Sequence, residues 1–294
     1  MSRNIYSTSA VTTRHGVELF LHRWQSAPDV EVKARIALVH GLGEHAGRYD
    51  ALAVALNAAG IELLAIDLRG HGKSSGDRVW VRVFTDYLRD ADVLLEACAA
   101  TSPADTPLFL MGHSMGGTIA ALYVAERAPG RKLAGLILSS PALKIGAGTP
   151  RWKAKLSRIV GTVVPRVAAF SIDPSLLSRA PGVVEAYRRD PLVHHGAVPA
   201  RTAAQILAGM ERVAAKRGAI ALPLYVFYGS ADAICDPAGS REFEANAGST
   251  DSTLAIVEGG AHETLNDLDR DRVIRELIDW TLVRADYART HARS

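Results

Sequence analysis

The stretch that decides the fold is Leu108-Phe-Leu-Met-Gly-His-Ser-Met-Gly-Gly-Thr118. Its first half is an apolar run typical of a buried strand, and its second half begins a helical pattern. Ser114 lies at the corner between the two, flanked by Gly112 and Gly116. A serine in a tight strand-to-helix turn leaves no room for side chains two residues away, which explains the glycines. The pattern predicts a nucleophilic hydroxyl that projects from the sheet at the N-terminus of a helix.

The composition indicates a globular protein of one large domain or one domain with an insertion. Of 294 residues, 48% are hydrophobic and 22% are charged. The 34 basic and 31 acidic residues are mixed along the whole chain, so nucleic acid is not expected as a partner. Cys98 and Cys235 lie far apart, which favours a reducing compartment over a disulfide framework. With no secretory signal and no apolar run of ~20 residues, we expect a soluble, cytoplasmic protein.

Short apolar runs alternate with helical segments along most of the chain. Strands that are covered on both faces are almost continuously apolar, so this alternation predicts a mostly parallel, doubly wound α/β sheet. In such sheets ligands bind outside the carboxyl ends of the strands. The predicted strands are Val17–Trp24, Arg35–His40, Ile61–Ile66, Leu108–Met111, Leu133–Ser139, Leu222–Tyr228 and Thr253–Val257, and the main predicted helices are Tyr49–Ala59, Phe84–Ala100, Met115–Ala128 and Asp269–Val283.

One region, from about residue 143 to residue 218, interrupts this alternation. It has no convincing strand pattern and several helical stretches separated by prolines, so we interpret it as an inserted helical cap. The predicted organisation is a core in two parts, 1–141 and 221–287, with a cap at 142–220 and a flexible tail at 288–294.

The start of the predicted cap carries clear helix signals, with Thr149 as the N-cap and Pro150 in the first turn. The following stretch, Trp152–Val164, mixes apolar with basic side chains. Two interpretations remain open for this helix. It either packs its apolar side on the core, or it makes transient contact with a membrane or lipid aggregate.

Two loops downstream of Ser114 supply the groups that a serine nucleophile requires, a base and a residue that orients the base. The run Leu222–Tyr228 continues into a turn that ends at Asp232, and the run Thr253–Val257 continues into a loop that ends at His262. Nucleophile, acid and histidine therefore occur in the chain order of the α/β hydrolases. Each lies just past the carboxyl end of a predicted strand, so we predict a Ser114–Asp232–His262 triad.

Other assignments compete with these. Asp236 is an alternative acid, and Asp232 could merely form a turn. His262 could be an ordinary surface histidine. His113 is adjacent to the serine, but the turn would direct its side chain away from the hydroxyl, so it is expected to line the pocket or make a structural hydrogen bond.

A tetrahedral intermediate also requires two donors for its oxyanion. The backbone N–H of Met115, directly after the nucleophile, is the first candidate. The second is expected from the loop after an earlier strand, His40-Gly-Leu-Gly43, in which glycines let the N–H of Leu42 turn toward the pocket.

Several of these motifs resemble those of the monoacylglycerol lipases and related lysophospholipases. The most discriminating is His40-Gly-Leu-Gly-Glu-His-Ala-Gly-Arg-Tyr49, which resembles the signature HGxGEHxxRY. The resemblance extends from about residue 10 to residue 285. Further matching segments are Asp67–Gly76 with DxRGHGxSxG, Gly112–Gly117 at the elbow, Leu138–Leu143 before the cap, Gly229–Asp236 at the acid loop, and His262-Glu263.

The resemblance implies an α/β-hydrolase fold and a serine hydrolase that cleaves a small lipid ester, a monoacylglycerol, to a fatty acid and glycerol. It further implies that Glu44, Arg48 and His113 form the glycerol end of the pocket. For Glu44 and Arg48 the alternative is a structural ion pair that steadies the Leu42 loop. Cys235 would lie near the pocket, either as a thiol open to alkylation or as a small buried residue.

Alternative functions remain open at this stage. A broad carboxylesterase, a lysophospholipase or a thioesterase would use the same triad, whereas a non-catalytic binding protein would have no need of all three groups. The adjacent pair His194-His195 could suggest a metal, but neighbouring histidines rarely converge on one ion. We therefore expect neither a metal nor a cofactor.

Overall fold

The computed structural model describes residues 5–101, 105–127, 132–144 and 159–291. Eight strands form one sheet in the order β1-β2-β4-β3-β5-β6-β9-β10. β2 runs antiparallel to both of its neighbours, and all strands from β4 to β10 in that order are parallel. The strands are β1 (Ile5–Thr12), β2 (Glu18–Gln25), β3 (Ala34–Val39), β4 (Ile61–Asp67), β5 (Leu108–His113), β6 (Gly135–Ser139), β7 (Ala168–Phe170), β8 (Val198–Pro199), β9 (Leu224–Gly229) and β10 (Ser252–Val257).

Helices cover both faces of the sheet and enclose two apolar layers. Thr85–Ala100 and Met115–Arg127 pack on one face, and Asp50–Ala58 and Arg270–His291 pack on the other. The central strands are buried along their full length, which is why they appear as continuous apolar runs. Within the described ranges, no helix is both long and apolar enough to cross a membrane. The remaining helices are Pro181–Arg189, Ala200–Lys216, Pro237–Glu244 and the helical residues 159–163.

The predicted doubly wound α/β architecture is confirmed, and the differences from the prediction lie outside the buried centre of the sheet. β1 was not predicted, because it is an exposed edge strand without an apolar face. The helix Pro237–Glu244 was also missed, although Asp236 caps it and Pro237 stands at its start. The last helix runs to His291, so residues 288–291 belong to it and the expectation of a tail from residue 288 was wrong there.

The segment between β6 and β9, which we call the cap segment (residues 142–220), contains more than helices. β7 and β8 pair antiparallel within it, so the expectation of a strandless segment was wrong. Thr149, Pro150 and the first part of Trp152–Val164 lie outside the described residues. A Cβ on Gly161 would lie 2.8 Å from the carbonyl oxygen of Ala200, so the helical residues 159–163 pack closely against the helix Ala200–Lys216.

Candidate active site

Ser114 forms the sharp corner between β5 and the helix Met115–Arg127. Its φ of 52° lies in the left-handed region, where a non-glycine residue is strained by about 1–3 kcal/mol. A Cβ on Gly112 would lie 2.2 Å from the carbonyl oxygen of Gly116, and one on Gly116 would lie 2.1 Å from that of Val39. The glycines are therefore required because backbone packs directly against backbone at this corner.

Asp232 and His262 meet beyond the ends of β9 and β10. His262 Nδ1 lies 2.7 Å from Asp232 Oδ2, while Asp232 Oδ1 accepts the N–H groups of Ile234 and Cys235, each at 2.9 Å. When Nδ1–H donates to the carboxylate, Nε2 keeps its lone pair and can accept a proton. Burial alone would lower the pKa of His262, but the charge and hydrogen bond of Asp232, with the charges of Glu263 and Glu44, outweigh it and raise that pKa.

Asp236, the alternative acid, has a different role. It is the N-cap of the helix Pro237–Glu244 and accepts the N–H of Ala238 at 2.9 Å. The loops that carry Asp232 and His262 pack so tightly that a Cβ on Gly229 would lie 2.1 Å from the carbonyl oxygen of Gly260. Of the two aspartates, it is Asp232 that contacts the imidazole.

The loop after β3, residues 40–45, lies directly against Ser114, since a Cβ on Gly41 would come within 3.2 Å of the serine Cβ. We call this segment the β3 loop. Leu42, Ser114 and Met115 line one cavity. In the described part of the chain, the backbone N–H groups of Leu42 and Met115 have no acceptor. Two free N–H groups beside a serine are the arrangement that stabilises a developing oxyanion.

Glu44 and Arg48 form a buried ion pair with a bond of 2.7 Å. The second carboxylate oxygen of Glu44 accepts the N–H of Gly41 at 2.7 Å and the hydroxyl of Tyr49 at 2.8 Å. Burial would raise the pKa of Glu44, but Arg48, His113, His40 and the Gly41 N–H together outweigh it, and the pKa falls to about 2. Of the two interpretations of this pair, the contacts show an ion pair that braces the β3 loop. Glu44 also lines a small cavity together with Ser114.

His113 also lines this small cavity. Its Nδ1 is 3.1 Å from the Ser139 hydroxyl, and its ring centroid is 4.9 Å from that of His262. Burial, followed by the neighbouring His262, lowers the pKa of His113 to about 4. His113 is therefore neutral at neutral pH, and it both lines the pocket and makes a structural hydrogen bond.

Two cavities meet at Ser114 and share Leu42, Ile172 and Ile234 in their walls. The larger cavity has a volume of about 650 Å³, within the ~300–1,000 Å³ typical of ligand pockets, and apolar side chains dominate its wall. The smaller has a volume of about 20 Å³, which is room for roughly one water molecule. Its polar side chains are those of Glu44, His113, Ser114, Tyr187, His262 and Glu263.

Cys235 lines the larger cavity, with its Sγ 4.0 Å from Ser114 Oγ. Burial, and then the Asp232 charge, raises the pKa of its thiol well above the ordinary value, so the group is a thiol and not a thiolate. Both cysteines are buried. His194 and His195 contact different backbone carbonyl groups, at 3.3 and 3.0 Å.

Comparison with known proteins identifies the family. A family model described as serine aminopeptidase, S33, matches residues 30–269. The monoacylglycerol lipase of Mycolicibacterium smegmatis is 34% identical over 265 residues, which cover 90% of this chain and 93% of the relative. The monoglyceride lipase of Homo sapiens is 35% identical over 278 residues, which cover 94% of this chain and 90% of that one. The chain belongs to the monoacylglycerol lipase family of α/β hydrolases.

A solved structure of this family agrees with the assignment. The crystal structure of the Paleococcus ferrophilus monoacylglycerol lipase superposes with a TM-score of 0.80 at 32% identity, covering 90% of this chain and 99% of that one. The expected α/β-hydrolase fold and the expected hydrolase activity are thereby confirmed. Membership makes the chain a serine hydrolase of the lipase and esterase type.

Sequence reasoning missed two contributions to this family site. Glu263 was quoted only as part of a motif, although its carboxylate lies in the small cavity and contacts Arg48. Tyr187 of the cap segment stacks on Arg48, with its ring centroid 4.8 Å from the guanidinium carbon. The charge of Glu263 beside the predicted histidine was the available signal for the first. No local pattern marks Tyr187, because its partner lies far away in the chain.

Proposed function

We propose that the chain hydrolyses monoacylglycerols to a fatty acid and glycerol through an acyl-enzyme on Ser114. The observation that carries this proposal is that one serine hydroxyl stands between a large apolar cavity and a small polar one. A monoacylglycerol has the same division, with one long acyl chain and a compact polar head on either side of a single ester bond.

The proposed reaction uses the groups around Ser114 in two half-reactions. Ser114 Oγ attacks the ester carbonyl, His262 Nε2 takes the hydroxyl proton, and the N–H groups of Leu42 and Met115 bind the oxyanion. The C–O bond to glycerol then breaks, and His262 gives its proton to the departing alkoxide. Water attacks the acyl-enzyme in the same way and releases the fatty acid. Asp232 keeps the imidazole oriented and stabilises its charged form.

The acyl chain would occupy the larger cavity, whose wall comes mainly from residues 142–220. We therefore propose that this segment is a cap over a core made of residues 1–141 and 221–287. The helix Ala200–Lys216 contributes one continuous stripe to the wall at the spacing of a helical face. The stripe consists of Ala203, Ile206, Leu207 and Met210.

The glycerol head has much less room than the acyl chain. A cavity of about 20 Å³ holds roughly one water molecule, so the head would have to displace part of the wall formed by Leu177 and Tyr187 of the cap. The small size favours a second candidate function, a carboxylesterase for esters of small alcohols. Glu44 and Arg48 would then serve mainly to brace the β3 loop.

An aminopeptidase activity, which the description of the family model names, finds less support in this site. Binding a substrate ammonium group would require an unpaired carboxylate near Ser114. Glu44 and Glu263, the carboxylates beside the serine in the smaller cavity, are both bound to Arg48 at 2.7 Å.

Matched substrates test these alternatives. A fluorophosphonate probe is expected to label wild-type protein and not Ser114→Ala. The values of kcat/KM for a monoacylglycerol and for the methyl ester of the same fatty acid then separate the two candidate functions. A large preference for the methyl ester would replace the lipase proposal with the esterase one, and absence of labelling on folded protein would refute both.

We also propose that the cap segment touches a lipid surface while substrate enters. Several of its apolar side chains are exposed, and Phe170 and Leu176 additionally line the larger cavity, so exposed apolar surface continues into the acyl site. The exposed residues are Ile159, Val163, Val164, Val167, Phe170 and Leu176.

Introducing one charged side chain tests whether this surface contacts lipid. Val163→Asp, at a side chain that is 72% exposed, is expected to weaken co-sedimentation with phospholipid vesicles while hydrolysis of a soluble ester is retained. Val283→Asp is the matched control, because Val283 is 64% exposed on the last helix, away from the cavities. Equal vesicle binding by both variants would contradict the contact.

We also propose that the protein is located in the cytoplasm. It is supported by Cys235, whose sulfur is a buried thiol outside any disulfide, as is usual in a reducing compartment. Fractionation of source cells with an antibody would test it, and recovery from the medium would contradict it.

A further inference from the structure

The residue after the predicted catalytic histidine reaches across the site to the β3 loop. Both carboxylate oxygens of Glu263 accept hydrogen bonds from Arg48, each at 2.7 Å. Arg48 also donates to Glu44, and Glu44 accepts the N–H of Gly41, the residue before Leu42. A continuous chain of charge-assisted bonds therefore joins the loop that carries His262, which we call the histidine loop, to the β3 loop, which carries the predicted oxyanion donor Leu42.

The backbone of Glu263 is fixed as firmly as its side chain. Its N–H donates to the carbonyl of Leu177 in the cap segment at 2.7 Å, and its carbonyl accepts the N–H of Asn266 at 2.8 Å. Asn266 also donates to the carboxylate at 3.1 Å. Histidine loop, β3 loop and cap segment are thus held together at one residue that is only 4% exposed.

Stability alone is a poor reason for such a cluster. Burying ionic groups has a large desolvation cost, and apolar replacements of buried ion pairs are often equally stable. What a cluster of directional bonds gives is a fixed distance between elements that are far apart in sequence. A displacement of the reacting groups by about 1 Å can lower the rate of catalysis roughly 100-fold.

We propose that Glu263 is a positioning residue for hydrolysis, which through Arg48 and Glu44 fixes the β3 loop relative to His262. This inference rests on the proposed function, because it requires His262 to be the base and the Leu42 N–H to be an oxyanion donor. Arg48 is bound to both glutamates at 2.7 Å, so its role here is structural alignment rather than direct binding of a polyol.

The cluster of Glu263, Arg48 and Glu44 also affects the protonation of the His262 imidazole. One guanidinium and two carboxylates leave one net negative charge beside His262, which favours the protonated imidazole. After burial and Asp232, the charges of Glu263 and Glu44 are further causes of the raised pKa of His262. The titratable and charged groups around the imidazole are Glu44 and Arg48 with the β3 loop, His113 at the elbow, Asp232 and Cys235 after β9, Tyr187 in the cap segment, and Glu263 itself.

The test is Glu263→Gln, which keeps the shape of the side chain and removes its charge. On a soluble chromogenic ester we expect kcat to fall roughly 10- to 100-fold with little change in KM, because alignment in the transition state is lost. We also expect the acid limb of the kcat/KM profile to move to lower pH, because the pKa of His262 loses a contribution that raises it. Arg48→Lys, which cannot bridge both carboxylates in the same geometry, should lower kcat similarly.

A second buried ion pair provides the matched control. Glu62 is 3% exposed and bonds to Arg35 at 2.8 Å between β4 and β3, remote from the cavities. Glu62→Gln should lower the melting temperature to a comparable extent while leaving kcat and the pH profile unchanged. If Glu263→Gln does not fold, the kcat of Arg48→Lys decides the question, and a wild-type kcat in that variant would overturn the positioning role.

The possible results are distinguishable. A wild-type kcat and an unmoved acid limb in Glu263→Gln, or equal losses of kcat in Glu263→Gln and Glu62→Gln, would overturn the positioning role. A wild-type protein that hydrolyses no ester and takes no fluorophosphonate label would instead refute the proposed function on which the inference rests.

Discussion

The two cavities that meet at Ser114 differ in size, in polarity and in the part of the chain that encloses them. The larger, of about 650 Å³, is apolar and is walled mainly by the cap segment. The smaller, of about 20 Å³, is polar and is walled mainly by loops at the carboxyl edge of the sheet. Those loops are linked by short hydrogen bonds, whereas the wall of the larger cavity consists mainly of packed apolar side chains.

This difference suggests a division of roles, in which the polar cavity controls the chemical step and the apolar cavity controls the choice of substrate. Bond-making groups must keep their positions within a fraction of an ångström, and buried hydrogen bonds between loops provide that precision. An acyl chain requires only volume and apolar contact, which packed side chains on helices provide and which substitution can change without loss of the fold. Changes on the polar side should therefore alter kcat, and changes on the apolar side should alter the choice of substrate.

The largest effect is expected on the polar side, from the triad itself. Ser114→Ala and His262→Ala should each lower kcat by roughly 10⁴- to 10⁶-fold to similar residual rates, because nucleophile and base act as a unit. Asp232→Asn should cost about 10⁴-fold. Hydrolysis of a soluble ester, with circular dichroism to verify folding, measures these losses.

Asp236→Asn is the control for the triad. Asn is as good an N-cap as Asp, so the helix Pro237–Glu244 should persist and activity should stay near that of the wild type. A greater loss in Asp236→Asn than in Asp232→Asn would show that the acid has been assigned to the wrong aspartate.

A smaller effect is expected on the apolar side. Ala203 lines the larger cavity, and Ala203→Phe should reduce the volume open to an acyl chain. We expect kcat/KM for long-chain monoacylglycerols to fall roughly 10- to 100-fold, with short-chain esters little affected, since each excluded methylene is worth ~1–3 kcal/mol. A chain-length series measures this. Ala215→Phe, at an exposed position of the same helix, should leave the series unchanged.

The smallest effect is a shift in pH dependence. The raised pKa of His262 means that its imidazole accepts a proton at a higher pH than an ordinary histidine, whose pKa is about 6.5. Because the base must be neutral, kcat/KM should fall as the pH drops through this raised pKa. A wild-type profile whose acid limb lies clearly below pH ~6.5 would contradict the described electrostatics.

The predictable parts of the fold are those with a local physical cause. β3, β4, β5 and β6 are buried on both faces, so their apolar runs marked them in the sequence. β1 escaped prediction because it is exposed along its length, and the β7–β8 pair escaped it because each strand has three residues or fewer. Short exposed strands carry too little pattern to be recognised.

The sequence alone determined the serine corner, because the Gly112-x-Ser114-x-Gly116 spacing follows from sterics within five residues. It also determined the chain order of Ser114, Asp232 and His262. Only the tertiary structure decided that Asp232 rather than Asp236 contacts the imidazole, that the two cavities differ so much in volume, and that Glu263 is linked to the β3 loop through Arg48. These features depend on distances between side chains far apart in the sequence, and no local periodicity encodes such distances.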